Sequence, residues 1–323
     1  MGEPAELERP ACAVAGSAAD GAPTSSARRG LSGWLELARA GNLPTILSNA
    51  LVGWAIGGAA PLDRRFGFAL LAVALLYTAG MIFNDVCDLG VDRRERPRRP
   101  LPSGRVSVRA ATVVVGVLLL LAMISLALTS GAAVAAGGIL AAMIVAYDLL
   151  HVRFASTVIL MAACRAMVYI VVASAVPPPG GWPLPAPLAP LLAGTLGVYV
   201  VGLSLVARLE MAPERSGSAA VRAAPLALAV VPFLGLAATG LPRSGSRVWA
   251  MAAAALMVLW ILRGVRHAQA TPARRPAAVG VWISAIPLVD AFFLTLLDRP
   301  ALALAAALCW PATVLLQRRL AAT

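Results

Sequence analysis

No lysine occurs anywhere in the 323 residues, so the formal net charge of +12 rests on arginine alone. The arginines cluster in alternate short connections, a placement that speaks of membrane topology and does not imply nucleic acid. Histidine is nearly absent: His151 and His267 are too few and too far apart to make a haem or zinc centre without other ligands. The cysteines, Cys12, Cys87, Cys164 and Cys309, follow neither metal-ligand spacing nor the pattern of a disulfide framework. Charged residues are scarce at 13% and aromatics at 6%; hydrophobic residues fill 60% of the chain, at a mean hydropathy of +0.82. That balance excludes an ordinary soluble domain and places the chain among polytopic membrane proteins with one integral domain.

Apolar runs near the roughly 20 residues that cross a bilayer fall at 43–60, 66–83, 110–129, 131–150, 156–176, 188–206, 223–241, 248–262, 278–297 and 301–316. They predict roughly nine or ten spans, one of the last four being re-entrant if there are nine, with 278–297 the least secure because it contains Pro287 and Asp290. Arg28 and Arg29, Arg93 to Arg109, Arg153, the group Arg208, Arg215 and Arg222, Arg263 to Arg275, and Arg318 with Arg319 mark one side. Arg64, Arg65, Arg243 and Arg247 lie on the other. By the positive-inside rule the N-terminus and the connection after the second run face the cytoplasm of a multi-pass cell-membrane protein, and Arg318 with Arg319 favours ten spans. Residues 1–30, rich in Ala, Gly, Ser, Glu and Pro and without the apolar core of a signal peptide, read as a disordered cytoplasmic tail, and 31–323 as the membrane domain. The proline-rich stretch 176–187 cannot continue a helix and predicts a rigid external loop with Trp182 at the interface.

The densest chemistry follows the second run, where Asn84, Asp85, Asp88 and Asp92 precede Arg99-Pro100-Leu101-Pro102-Ser103-Gly104. If the preceding helix continues, Asp85, Asp88 and Asp92 share one face, with Asn84 a turn before Asp88. Carboxylates inside or beside an apolar span cost about 2.5–3.5 kcal/mol each on insertion scales, so such a cluster marks a functional site. A cation offsets their repulsion. Mg²⁺ takes one or two carboxylates and leaves its other positions to water and substrate phosphates, which makes a diphosphate the natural third party.

The motif Asn84-Asp85-x-x-Asp88-x-x-x-Asp92 closing an apolar helix, followed by Arg99-Pro100-Leu101-Pro102-Ser103-Gly104, resembles the UbiA-type intramembrane prenyltransferases. Arg39-Ala40-Gly41-Asn42-Leu43-Pro44-Thr45 resembles the start of that family's first helix, so the likeness runs from about residue 35 to the C-terminus. It implies an all-α bundle of transmembrane helices around a central cavity open to the cytoplasm, in which Mg²⁺ held by Asp85, Asp88 and Asp92 meets a prenyl diphosphate. It also implies a second acidic motif, for which the chain offers Arg208-Leu209-Glu210-Met211-Ala212-Pro213-Glu214 with Gly217 following. Glu210 and Glu214 keep the expected spacing, but each is longer and freer than Asp, and Pro213 lies between them. Where the family has Tyr-x-x-x-Lys, this chain has Tyr147-Asp148-Leu149-Leu150-His151, with Arg153 two residues on to supply a permanent charge. Arg165 resembles the family's arginine near the diphosphate, the other reading being an ion pair with Asp148 or Asp290. Arg39, Asn42 and Asn84 are expected at the same mouth, and Arg99 beside the leaving group.

The expected activity is Mg²⁺-dependent prenyl transfer from a polyprenyl diphosphate to an aromatic or other small hydrophobic acceptor among membrane lipids. Tyr77, Tyr147, Tyr169, Tyr199 and Trp54 are candidates to touch the cation or the tail. The altered second motif and the missing lysine are similar to the EboC-like bacterial branch, and they leave a second reading: a UbiA-like scaffold or transporter without turnover. A CDP-alcohol phosphotransferase is excluded because its Asp-Gly-x-x-Ala-Arg signature is absent.

Overall fold

The structure is a computed structural model, which describes residues 25–58, 62–151, 154, 156–176, 188–210, 228, 230–270 and 275–321. In chain order the helices are α1 Ser25–Leu37, α2 Leu43–Ile56, α3 Arg64–Cys87, α4 Leu89–Glu95, α5 Val108–Ala127, α6 Gly131–Leu150, α7 Thr157–Ser174, α8 Leu188–Glu210, α9 Leu234–Thr239, α10 Ser244–Ala270, α11 Arg275–Leu296 and α12 Pro300–Ala321. The fold is all-helical, as expected. Among the described residues eight helices are long and apolar enough to cross a membrane: α3, α5, α6, α7, α8, α10, α11 and α12.

The helix starts are set by local chemistry. Asp63 accepts from the backbone N–H groups of Arg65 (2.7 Å) and Phe66 (3.3 Å) and so caps α3. Ser107 and Ser130 do the same for α5 and α6 through Ala110 and Ala133. Each cap satisfies amides that the first helical turn leaves without partners.

Two helices hold the bundle's interior. Although α2 has only 14 residues, about 21 Å of helix, most of it is buried, and it packs against α3, α7, α8, α11 and α12. Gly53 lets it approach α7: a Cβ there would sit 2.7 Å from the carbonyl oxygen of Tyr169. The other interior helix is α11, whose apolar stretch is 72% buried against 28% for α5 and 22% for α12. The run at 278–297, the least secure of the ten by sequence, is a membrane-length helix, and Pro287 lies inside a continuous α11. Burial among neighbours makes this tolerable, because the backbone groups that proline frees are not exposed to lipid. Asp290 is fully buried as well, accepting from Ser48 (2.5 Å), from Asn49 (2.8 and 3.0 Å) and from Tyr169. It ties α2, α7 and α11 together. Leu120, Ile124, Leu259, Leu304 and Leu308 stand exposed on α5, α10 and α12, as residues facing lipid should.

The run at 223–241 lies partly outside the described residues, and its described part includes a 3-10 turn and the six-residue α9. The first helix, α1, begins at Ser25 and so overlaps the last residues of the stretch read as a tail.

Candidate active site

The helix carrying the aspartates does continue. Asp88 closes α3 with helical backbone angles, and the N–H of Asp92 donates to the carbonyl oxygen of Asp88 at 2.9 Å, so α4 prolongs α3 with one altered turn. Asp85 and Asp92 consequently face the same way, and both are buried. Arg99 bridges them, its Nη1 standing 2.7 Å from Asp92 and 3.5 Å from Asp85. The loop that brings Arg99 there is anchored by Leu101 and Val106, which pack with Leu37, Ile82 and Val115 in a small apolar cluster. Arg39 adds a second cation, 3.3 Å from Asp85. Its backbone is left-handed (φ 44°, ψ 45°), a conformation that costs a non-glycine residue about 1–2 kcal/mol and here directs the chain so that the guanidinium reaches Asp85. Arg96 reaches Asp92 only at 4.0 Å and from an exposed position.

Asp88 turns elsewhere, toward α6, where Nε2 of His151 lies 2.8 Å away. The hydrogen bond to Asp88 raises the imidazole pKa above its ordinary value. Tyr147 stacks on the same ring at 5.2 Å. One turn below, Asn84 donates to Asp148 at 3.1 Å rather than to Asp88.

Behind this mouth lies a cavity of about 200 Å³. One part of its wall is polar, with Arg39, Asn42, Asn84, Tyr147, Asp148 and Arg165; the rest is apolar, with Ile46, Val73, Ile144, Val200 and Ile286 among others. Arg165 donates to the hydroxyl of Thr45 (2.5 Å) and to its carbonyl oxygen (3.2 Å), while its Nε has no partner among the described residues. The ion pair of Arg165 with Asp148 or Asp290 considered above is not formed among the described residues. Thr45 in turn donates to the carbonyl oxygen of Asn42 at 2.7 Å, and the Asn42 side chain accepts from Gln317 at 2.9 Å. Tyr77 and Tyr147 line the cavity, whereas Tyr169, Tyr199 and Trp54 are packed in the core.

The structure thus brings Arg39, Asn42, Asn84, Asp85, Asp88, Asp92, Arg99, Tyr147, His151 and Arg165 to one region. Glu214 and Arg153 lie outside the described residues, as do the side chains of Arg208 and Glu210 near the end of α8. The expected carboxylate cluster takes an unexpected form: among the described residues no three His, Cys, Asp or Glu side chains gather in a way that could hold a metal ion. Arginine neutralises Asp85 and Asp92 instead. The donor set itself, hard carboxylate oxygens at the edge of a polar cavity, still suits Mg²⁺. Sequence reasoning gave Thr45 and Gln317 no role of their own and considered Asp148 only as an ion-pair partner of Arg165. For Asp148 a signal was present, a carboxylate within an otherwise apolar helix.

The family model described as UbiA prenyltransferase family matches residues 43–286. A digeranylgeranylglyceryl phosphate synthase of Sulfolobus acidocaldarius is 38% identical over 78 residues, 24% of this chain and 28% of that protein. The chain thus aligns with only about 28% of the length of this curated relative. A UbiA homolog from Aeropyrum pernix superposes with a TM-score of 0.65 at 20% identity, covering 78% of this chain and 96% of that one. A UbiA homolog from Archaeoglobus fulgidus, solved with GPP and Mg²⁺ bound, gives 0.54 at 15% identity, covering 82% and 99%. Likeness at these identities shows a common fold.

Proposed function

This chain belongs to the UbiA prenyltransferase family, and on that premise we propose that it transfers a prenyl group from a polyprenyl diphosphate to a small hydrophobic acceptor within the membrane. The observation that carries this reading is the mixed lining of the cavity, with Arg39 and Arg165 among its polar groups and a mostly apolar remainder. A diphosphate with a long hydrocarbon tail has both kinds of surface. The relative from Archaeoglobus fulgidus solved with GPP and Mg²⁺ supports the donor class, and relatives named digeranylgeranylglyceryl phosphate synthase support an acceptor that ends as a prenylated glyceryl phosphate, beside the aromatic class.

Asp85, Asp88 and Asp92, with Glu210 and Glu214 from the second motif, would hold Mg²⁺. When bound, the ion supplies neutralisation of the diphosphate charge as the allylic C–O bond breaks. The chain's own groups do the rest. Arg39 and Arg99, already at the carboxylates, bind diphosphate oxygens with the fork geometry of guanidinium. Arg165, with its unpartnered Nε, stabilises the leaving group from the cavity side. His151 adds positive charge at the mouth, and Arg153 and Arg208, whose side chains lie outside the described residues, would add theirs toward the diphosphate. The aliphatic wall keeps water from the allylic cation until the acceptor attacks, and Tyr77 and Tyr147 present aromatic faces to it.

The arginine pairing of Asp85 and Asp92 favours a second reading, a scaffold or transporter that binds the donor without turnover. Release of pyrophosphate from radiolabelled geranyl, farnesyl and geranylgeranyl diphosphates by the protein in nanodiscs, with Mg²⁺ or EDTA, separates the two. The transferase reading expects Mg²⁺-dependent release that falls in Asp85→Ala and Glu210→Ala. Donor binding with no release, with every acceptor extract supplied, supports the scaffold.

A further inference from the structure

Arg39 and Arg165 both line the cavity, and although they belong to different segments they are joined through one residue, Asn42. On one side the backbone N–H of Asn42 donates to the carbonyl oxygen of Arg39 at 2.9 Å and closes the 40–42 turn. On the other, its carbonyl oxygen accepts from the hydroxyl of Thr45 at 2.7 Å, and Arg165 donates to that hydroxyl at 2.5 Å. The turn starts from the left-handed backbone of Arg39 (φ 44°), and such a conformation persists only where its surroundings hold it. Part of what holds it comes from the far end of the chain. Near the end of α12, Nε2 of Gln317 donates to Oδ1 of Asn42 at 2.9 Å. The backbones touch as well, since a Cβ on Gly41 would stand 3.2 Å from the backbone nitrogen of Gln317. Gln317 is half-buried against this turn, while its neighbours Leu316, Arg318 and Arg319 are exposed.

We propose that Gln317 is a positioning residue for the donor site: its amide holds Asn42, and through Asn42 it keeps the guanidinium groups of Arg39 and Arg165 in the places where a diphosphate meets them. This role rests on the prenyl-donor reading above and deepens it by adding a residue that touches no substrate. Without the amide, Asn42 is free to rotate and the strained turn has one anchor fewer. The two cations are then ordered when the donor arrives instead of beforehand. That ordering cost falls on binding, and the bond-breaking step, which follows once the donor has fixed the arginines, is spared.

Equilibrium binding of radiolabelled geranylgeranyl thiolodiphosphate, with Mg²⁺ and the full chain in nanodiscs, is compared in the native protein, Gln317→Met, Asn42→Ala and the double variant. Methionine keeps the length of the side chain and removes the amide. Gln317→Met should weaken binding about fivefold, the size of one net hydrogen bond, and Asn42→Ala at least as much. The double variant should bind no more weakly than Asn42→Ala alone, because two residues acting through one contact are not additive. Gln317→Lys, which restores an N–H donor for Asn42, should recover native affinity to within about twofold. In turnover, Gln317→Met should raise KM for geranylgeranyl diphosphate about fivefold and leave kcat within about twofold. A contact that merely braces α12 would lower the thermal midpoint of Gln317→Met with donor affinity unchanged, and that result overturns the positioning role. A fivefold loss that persists in the Asn42→Ala background, or a loss confined to kcat, overturns it too. Where Gln317→Met folds poorly, Asn42→Ala decides alone, since unchanged donor affinity there removes the residue through which Gln317 acts. Failure of the prenyl-donor reading looks different: the native protein then binds no thiolodiphosphate with or without Mg²⁺, which removes the ligand and the positioning role together.

Discussion

Asp148 and Asp290 are both carboxylates on apolar helices, and both are almost wholly buried, at 3% and 0% exposure. Their surroundings differ. Every oxygen of Asp290 accepts from Ser48, Asn49 or Tyr169, and the residue lies off the cavity wall. Asp148 accepts from Asn84 through one oxygen, has no partner for the other among the described residues, and lines the cavity. The lesson is that burial of an ionisable group inside a membrane helix does not by itself identify a functional residue. Position and partners separate the two: Asp290 holds three helices together through Ser48, Asn49 and Tyr169, whereas Asp148 is bound by Asn84 at the cavity wall.

Exchange experiments can break this contrast. The largest expected effect is the loss of Mg²⁺-dependent pyrophosphate release in Asp85→Ala, about 100-fold or more, in protein that still melts cooperatively. Asp290→Ala should do the reverse. It strips the acceptor from Ser48, Asn49 and Tyr169 and should cost about 3 kcal/mol of stability, read as a lower midpoint in a nanodisc or detergent melt, while the folded fraction keeps its donor affinity. If Asp290→Ala instead abolished donor binding in a protein that melts normally, the division of roles would be wrong.

Arg99 and Arg96 sharpen the same point at the mouth. Removing Arg99, which bridges Asp85 and Asp92, should weaken donor binding about tenfold or more, in line with a charge-assisted hydrogen bond. Arg96, exposed and 4.0 Å from Asp92, should change it by less than about threefold when replaced by Ala. Between these in size is Gly53→Ala: its Cβ would press on the carbonyl oxygen of Tyr169 at 2.7 Å and should cost about 1–3 kcal/mol of stability by forcing α2 from α7.

Much of this was legible in the sequence. Apolar run lengths located the long helices, and the spacing of Asp85, Asp88 and Asp92 placed them on a continued helix. Motif resemblance brought Arg39, Asn84, Arg99 and His151 to the same mouth, where the structure puts them. What the sequence could not show is pairing between distant segments. Arg99 neutralises two aspartates only because Leu101 and Val106 pin its loop to the apolar cluster. Pro287 and Asp290 look like interruptions until α2 and α7 supply Ser48, Asn49 and Tyr169.

The most direct test of the account is a product balance. The protein in nanodiscs with Mg²⁺, radiolabelled geranylgeranyl diphosphate and host-membrane lipid extract should yield one prenylated lipid-soluble product for each pyrophosphate released, with a mass equal to acceptor plus prenyl group minus one hydrogen. Bound donor with no product, or release that yields only the free prenol whatever extract is supplied, would contradict it.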